Sequence, residues 1–408
     1  MRVGQVHTKR EKEIKYGAQG LFLMYGFPSL ISIFMYVTGL EVLSNYIFVF
    51  HIIKYVCLLL MLFYFFANKD VKNVSVIGAL FMIVLVMAVI NLENIDMTII
   101  SSFVYFVAYT LVNIISISLL KDPNVILEKF RYIAYIGCIE VIAACVFGNI
   151  LHIYDGNIDY MVLGNSGLIY TAVLLYWTIK EKRLHEIILS CSVIMCYVLF
   201  TSRGSLGALG GVVIYYIVFG DIGVSIKKRI KWIIGISITG MLLIKNFKPI
   251  LESVASIANA RGWNIGKLAQ AALYFDSLFQ SSSRVEIWEK AIDLIKQNWL
   301  IGYGPMSSPR LMHPASYVHN VELDMLLDFG VVLGGVFIVL IFTLLVLLLC
   351  TKKYRRWSCV CAALVLPGFL VLQLSGYWYS ESYVFVLFFL FFLARKECKI
   401  GSGGSVTC

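Results

Sequence analysis

Two arginines and one histidine have the residue types and settings for chemistry in this chain. Arg203 lies in "TSRGSLGALGG", Arg284 opens "RVEIWEKAIDLIKQ", and His319 lies in "SYVHNVELD". A guanidinium offers a planar fork of donors matched to phosphate oxygens, so each arginine is a candidate anion receptor. An imidazole titrates near neutrality and can accept a proton from an incoming hydroxyl. Glu322 and Asp324 follow within about one helical turn and are alternative bases. Each residue also has a plainer reading. Arg203 can snorkel to an interface, Arg284 can be a solvated first-turn cation, and His319 with Asn320 can be an interfacial histidine beside a helix cap.

The surroundings of these residues are written for lipid. The 408 residues are 60% hydrophobic and 14% charged, with a mean hydropathy of +0.84. Apolar runs of about 20 residues, each able to cross roughly 30 Å of hydrocarbon as a helix, recur along nearly the whole length. The reading is an all-α polytopic membrane protein of about twelve spans: 21–40, 46–66, 74–91, 99–120, 131–151, 160–179, 186–201, 204–219, 231–247, 323–350, 358–374 and 377–394. The first run follows the polar "KREKEIK", lacks a small-residue cleavage pattern and reads as a retained span rather than a signal peptide.

The net charge of +10 is topogenic. With the N-terminus inside, 24 lysines and arginines fall on the inner segments and one, Arg203, falls in the short outer loops. That asymmetry sets both termini in the cytoplasm and asks for no nucleic-acid partner. Of the ten cysteines none falls in an outer loop, so structural disulfides are not expected. Lys54 and Glu140 fall within spans two and five, where charges are costly and are usually paired or functional.

The chain therefore divides into spans one to nine (1–247), a long outer segment (248–322), spans ten to twelve (323–394) and a cytoplasmic tail (395–408) closing in the flexible "GSGGSVTC". Within the outer segment an amphipathic helix is expected from Arg284, with Ile287, Trp288, Ala291, Ile292, Ile295 and Trp299 on its apolar face. Ser283 and Glu286 form a capping box, and Gly302 is the expected stop. Arg203 joins two runs of about 16 residues each, short for a bilayer at roughly 1.5 Å per residue, so its hairpin tip is recessed. His313 and His319 are too loosely spaced to predict a metal site. No P-loop, dinucleotide fingerprint, HExxH, GxSxG or paired CxxC occurs.

Taken together, the order of these features resembles the bacterial O-antigen polymerase and O-antigen ligase superfamily, which includes capsular repeat-unit polymerases. The residues carrying the resemblance are Arg203 in its Ser-Arg-Gly turn, then Arg284, Trp288, Gly302, Gly304, His319 and Asn320, within about 190–335. "NWLIGYG" stands where family members commonly read NPLIGxG. The resemblance implies a C-type membrane glycosyltransferase fold acting on undecaprenyl-diphosphate-linked sugars at the outer face of the bacterial cytoplasmic membrane. Arg203 and Arg284 would bind the leaving pyrophosphate, and His319 would match the catalytic histidine. Gly302, Tyr303, Gly304 and Asn320 would line the pyrophosphate and glycan site. Metal and cofactor would be absent, and a flippase and a chain-length regulator of the same pathway would be partners. Polymerase is the favoured activity and ligase the alternative. A twelve-span secondary transporter or flippase of lipid-linked sugar is the competing class. Its two similar halves would be joined by a central inner connection, whereas here the central inner loop is only "KEKRLHE" and the bulk lies outside.

Overall fold

A computed structural model describes residues 2–39, 110–154, 160–220, 225–263, 284–313, 315, 317–374, 376, 378–379 and 382–402, with isolated positions between 56 and 89. Apart from those isolated positions, the expected spans 46–66 and 74–91, the first part of 99–120, Lys54 and Ser283 lie outside these residues. Among the described residues all regular structure is helical and none is strand.

In chain order the helices are α1 (Arg2–Leu21), α2 (Phe27–Thr38), α3 (Thr110–Leu120), α4 (Pro123–Ala143), α5 (Tyr160–Ser166), α6 (Leu168–Glu181), α7 (Leu184–Phe200) and α8 (Arg203–Val218). They continue with α9 (Ile226–Ala260), α10 (Arg284–Gln297), α11 (Ser308–Leu311), α12 (Val321–Cys350), α13 (Arg355–Leu364), α14 (Leu366–Leu372) and α15 (Tyr383–Ser402). Local chemistry sets several boundaries. Asp122 caps α4 through Asn124 N at 2.8 Å, with Pro123 in the first turn. Ser202 accepts from Ser205 N at 3.2 Å at the start of α8.

Among the described residues, three helical stretches are long and apolar enough to cross a membrane: Arg10–Thr38, Pro123–Ile150 and Val321–Cys350. Lys352–Leu364 and Leu366–Leu372 make a fourth if the 50° bend between them lies within one span. Val332, Val336, Val339 and Val346 stand exposed along α12. Such an aliphatic face is costly in water and ordinary against acyl chains. The fold is that of a helical membrane protein.

The helices run past several expected boundaries. The polar N-terminus is helical from Arg2 and joins the first span through a π-helical turn, Phe22–Gly26. α9 continues to Ala260, well past position 247. The expected tail from 395 is helical to Ser402. Hydropathy marks where lipid-compatible residues stop, and a helix continues past that point as long as its backbone bonds and packing hold.

The bundle has two distinct ends. At one, basic residues converge: Arg10 donates to Leu119 O and Leu120 O, Arg356 pairs with Glu397 and Asp122, and Arg131 binds Glu181 and Glu186. Arg131 and Glu186 are buried, and Trp177 stacks over the guanidinium at 4.5 Å. The other end holds Gly39, where an added Cβ would lie 2.5 Å from Ile153 O, and His152, whose Nε2 lies 2.7 Å from Gly262 O. α8 and α12 run in the same direction between these ends, since Tyr215 near the end of α8 donates to Leu349 O near the end of α12 at 2.8 Å.

Glu140 packs against Ser29 and Ser32 of α2. Lys54, the other charge expected within a span, is outside the described residues.

Candidate functional site

The site is built on α10, which lies over the start of α12. Ile287, Trp288, Ala291, Leu294 and Ile295 pack against Met312, Val318, Leu323 and Leu327 in a small apolar cluster separate from the main core. Two longer bonds pin the intervening loop: Trp288 Nε1 donates to Val318 O at 3.0 Å and Lys290 Nζ to His313 O at 3.0 Å. Ile292 and Trp299, expected on the buried face, are 40% and 55% exposed. At about 100° per residue the buried stripe follows 287, 291, 294 and 295, which leaves Ile292 on its flank. Trp299 lies beyond the helix, which ends at Gln297 rather than at Gly302.

Gly302 has a different task. α12 breaks at Gly330, whose φ of 72° and ψ of 173° fall in a region essentially reserved for glycine. The break exposes helix backbone, and the segment 299–304 takes it up. Val331 N donates to Trp299 O (2.7 Å), Tyr303 N to Leu327 O (2.9 Å) and Gly304 N to Asp328 O (2.9 Å). The two backbones touch so closely that a Cβ on Gly302 would lie 2.5 Å from Asp328 O, and one on Gly330 would lie 2.3 Å from Leu300 O. Gly302 and Gly304 thus carry a structural joint between loop and helix. Gly330→Ala is expected to lower stability by about 1–3 kcal/mol through backbone conformation alone, with the clash added. Gly335→Ala, where a Cβ meets nothing within 4 Å, is the neutral control. Membrane abundance and thermal melting in detergent give the comparison, and equal behaviour of the two variants would contradict this account.

The joint fixes α12, and the start of α12 fixes His319. Asn320 Oδ1 caps the helix by accepting from Leu323 N at 2.9 Å, so that oxygen is committed to structure. His319 precedes it in a left-handed conformation, φ 62°, which is uncommon for a residue with a side chain. Its ring stands 4.0 Å from that of Tyr317, centroid to centroid. Half-burial and then the nearby charge of Arg284 push the His319 pKa below its ordinary 6.5. The imidazole is therefore neutral at pH 7, the form that can accept a proton. Arg284 and His319, 35 positions apart in the sequence, are thus close enough for the charge of one to act on the other. His319 Nδ1 and Glu322 Oε2 are buried without a protein hydrogen-bond partner.

Asp324 and Asp328 turn the other way and are fully buried. Asp328 accepts from Met306 N (2.7 Å), Ser307 N (3.0 Å), Ser307 Oγ (2.7 Å) and Trp378 Nε1 (2.9 Å). Those bonds hold the loop that follows Gly304. Asp324 Oδ2 accepts from Trp378 N at 3.3 Å, and its Oδ1 is buried without a partner. Trp378 is the residue the sequence reading missed. It lies between α14 and α15, and no local pattern connects it to a site more than 50 positions upstream.

Arg203 is the first residue of α8. A Cβ added at its neighbour Gly204 would lie 3.6 Å from the side chain of Leu374, just before the Trp378 turn. The start of α8 thus lies at the end of the bundle that holds Trp378, the Gly302–Ser307 loop and the start of α12. Among the described residues no group of three or more His, Cys, Asp or Glu is placed to hold a metal ion.

Neither the comparison with curated proteins nor that with solved structures gave a match. A family model described as O-antigen ligase matches residues 187–338. The matched stretch runs from α7 into α12 and contains Arg203, Arg284, the Gly302–Gly304 joint, His319, Glu322 and Asp324. The match covers 152 of the 408 residues, and over that stretch the chain is similar to the O-antigen ligase family.

Proposed function

We propose that the protein is a membrane glycosyltransferase that polymerises undecaprenyl-diphosphate-linked oligosaccharide repeat units, for O-antigen or capsular polysaccharide, at the outer face of the cytoplasmic membrane. The observation that carries the reading is the pairing of a cation at the first turn of α10 with a neutral histidine, beside two buried polar atoms without protein partners. Buried polar groups are normally satisfied, and those that are not tend to meet a ligand or water. The acceptor hydroxyl gives its proton to His319 as its oxygen attacks the anomeric carbon. The bond from that carbon to the diphosphate oxygen breaks, and the departing lipid diphosphate gathers charge that Arg284 and Arg203 stabilise. Donor energy is stored in the diphosphate linkage, so no nucleotide site is needed.

Among the alternative bases, Glu322 has a half-buried side chain at the start of α12, whereas Asp324 is wholly enclosed. His319 is the base this geometry favours. The family description favours a second reading, ligase, in which the acceptor is a lipid A–core hydroxyl. Purified protein in detergent decides between them. A polymerase lengthens lipid-linked repeat units given no other acceptor, whereas a ligase leaves them unchanged until core acceptor is added. Two arginines can serve where many transferases use a divalent cation, so elongation is expected to survive EDTA. Loss on chelation, restored by magnesium or manganese, would overturn that part of the mechanism.

The orientation rests on the basic end of the bundle facing the cytoplasm. Lys296 is 70% exposed on α10. Lys296→Cys in a cysteine-free background should be labelled by an impermeant thiol reagent in spheroplasts or protoplasts. Labelling only after permeabilisation would invert the topology.

A further inference from the structure

The aliphatic face that α12 turns to acyl chains begins abruptly. From Val321 to Gly330 no residue of that helix is exposed, whereas Val331 and Val332 are exposed directly after the break. Gly330 thus marks the depth at which protein cover gives way to lipid. Trp299 is tied to that level, because its carbonyl accepts from Val331 N at 2.7 Å. Trp299, Leu300 and Ile301 are themselves 55%, 52% and 45% exposed. Three large apolar side chains therefore extend the lipid-facing surface of α12 onto the segment that follows α10. Tryptophan suits this level, since its ring is largely apolar and its one N–H can reach the headgroup layer.

α10 continues that surface on one flank. At about 100° per residue, Ile287, Trp288, Leu294 and Ile295, packed on the start of α12, fall within roughly 60° of the buried Ala291. Beyond them on one side, at roughly 100–120°, come Val285 and Ile292, both exposed. Beyond them on the other side, at roughly 100–140°, come Lys290, Gln297 and Glu286, also exposed. A helix surrounded by water has no use for an apolar flank outside its packed face. A helix lying in a membrane surface does, with one flank in lipid and the other in water. We propose that Val285, Ile292, Trp299, Leu300 and Ile301 form a lipid-docking surface that seats α10 at the headgroup–acyl boundary of the adjoining leaflet. The partner is the bilayer itself, recognised by apolar area rather than by charge. Seated there, α10 holds Arg284 and the start of α12 at the same depth. The inference is independent of the transferase reading and of which leaflet is the outer one.

Nitroxide labels on single cysteines in a cysteine-free full chain, reconstituted in phosphatidylcholine liposomes, test it. Molecular oxygen concentrates in hydrocarbon and a polar nickel chelate stays in water, so the ratio of their collision rates with a label reads its depth. Val336→Cys, on the exposed face of α12, sets the lipid value, and Asp293→Cys, on the back of α10, sets the water value. Labels at Val285→Cys, Ile292→Cys and Leu300→Cys should shift clearly towards the lipid value, while Glu286→Cys and Gln297→Cys stay at the water value. Leu300 adjoins the Gly302–Gly330 joint, and the two α10 positions report independently should that variant fail to fold. Water values at Ile292 and Leu300 would place the flank in solvent and refute the docking. Few collisions with either reagent would mean that protein covers the flank, either residues 264–283 or a second copy of the chain, and would refute it equally.

Discussion

Arg284→Lys is expected to abolish glycan transfer nearly as completely as Arg284→Ala, at unchanged membrane abundance. The physical reason is geometric. A leaving diphosphate presents oxygens that a guanidinium meets with two parallel hydrogen bonds, and an ammonium is a point charge on a flexible stem. Loss of one preorganised donor at developing negative charge costs about 10²–10³ in turnover, so both variants should fall by at least that much. Stability should not follow. Arg284 stands at the positive end of α10, where a cation is mildly unfavourable, and removing it relieves the helix. Arg203, at the start of α8, is expected to show the same intolerance of lysine. Polymer length in cells lacking the native gene, with membrane abundance measured in parallel, is the assay. Wild-type chain length from Arg284→Ala at normal abundance would reduce α10 to a packing element.

His319→Ala is expected to cost about 10²–10⁴ in turnover, the usual worth of a positioned general base. Its environment adds a pH signature. Burial and the Arg284 charge lower the His319 pKa, so the neutral base persists below pH 6.5 and activity should fall only under that value. Arg284→Gln removes one of the two causes and should raise the His319 pKa towards its ordinary range. NMR titration of labelled histidine reads that shift even if the variant is inactive. An acid limb above 6.5 in the wild type, or an unmoved titration in Arg284→Gln, would contradict the assignment. Near-normal turnover in His319→Ala with a dead Glu322→Gln would transfer the role to the carboxylate.

Much of this site is written locally. The helix from Arg284 follows from apolar residues recurring at helical spacing, and the Asn320 cap from an asparagine before an apolar run. The gathering of basic residues at one end follows from their spacing along the chain, because each short loop must lie on one side or the other of a lipid layer. These are properties of neighbours in sequence, so the sequence by itself determines them. It also determined the membrane class, since a backbone in hydrocarbon must satisfy its polar groups within each helix.

What only the tertiary structure decided depends on groups far apart in the chain. Gly330 reads as one glycine in an apolar helix until the segment 299–304 is seen bonding the backbone it releases. Ile292 and Trp299 fit an apolar pattern yet stand exposed, because hydrophobicity does not distinguish a face packed on protein from one turned elsewhere. Asp324 and Asp328 read alike, one turn apart, but the Trp378 turn and the Met306–Ser307 loop give them different partners. His319 and Arg284 become one electrostatic unit only because α10 folds back over the start of α12. Hydrogen bonds and charges act through space over a few ångströms, and the chain brings these residues within that range only after its helices have packed.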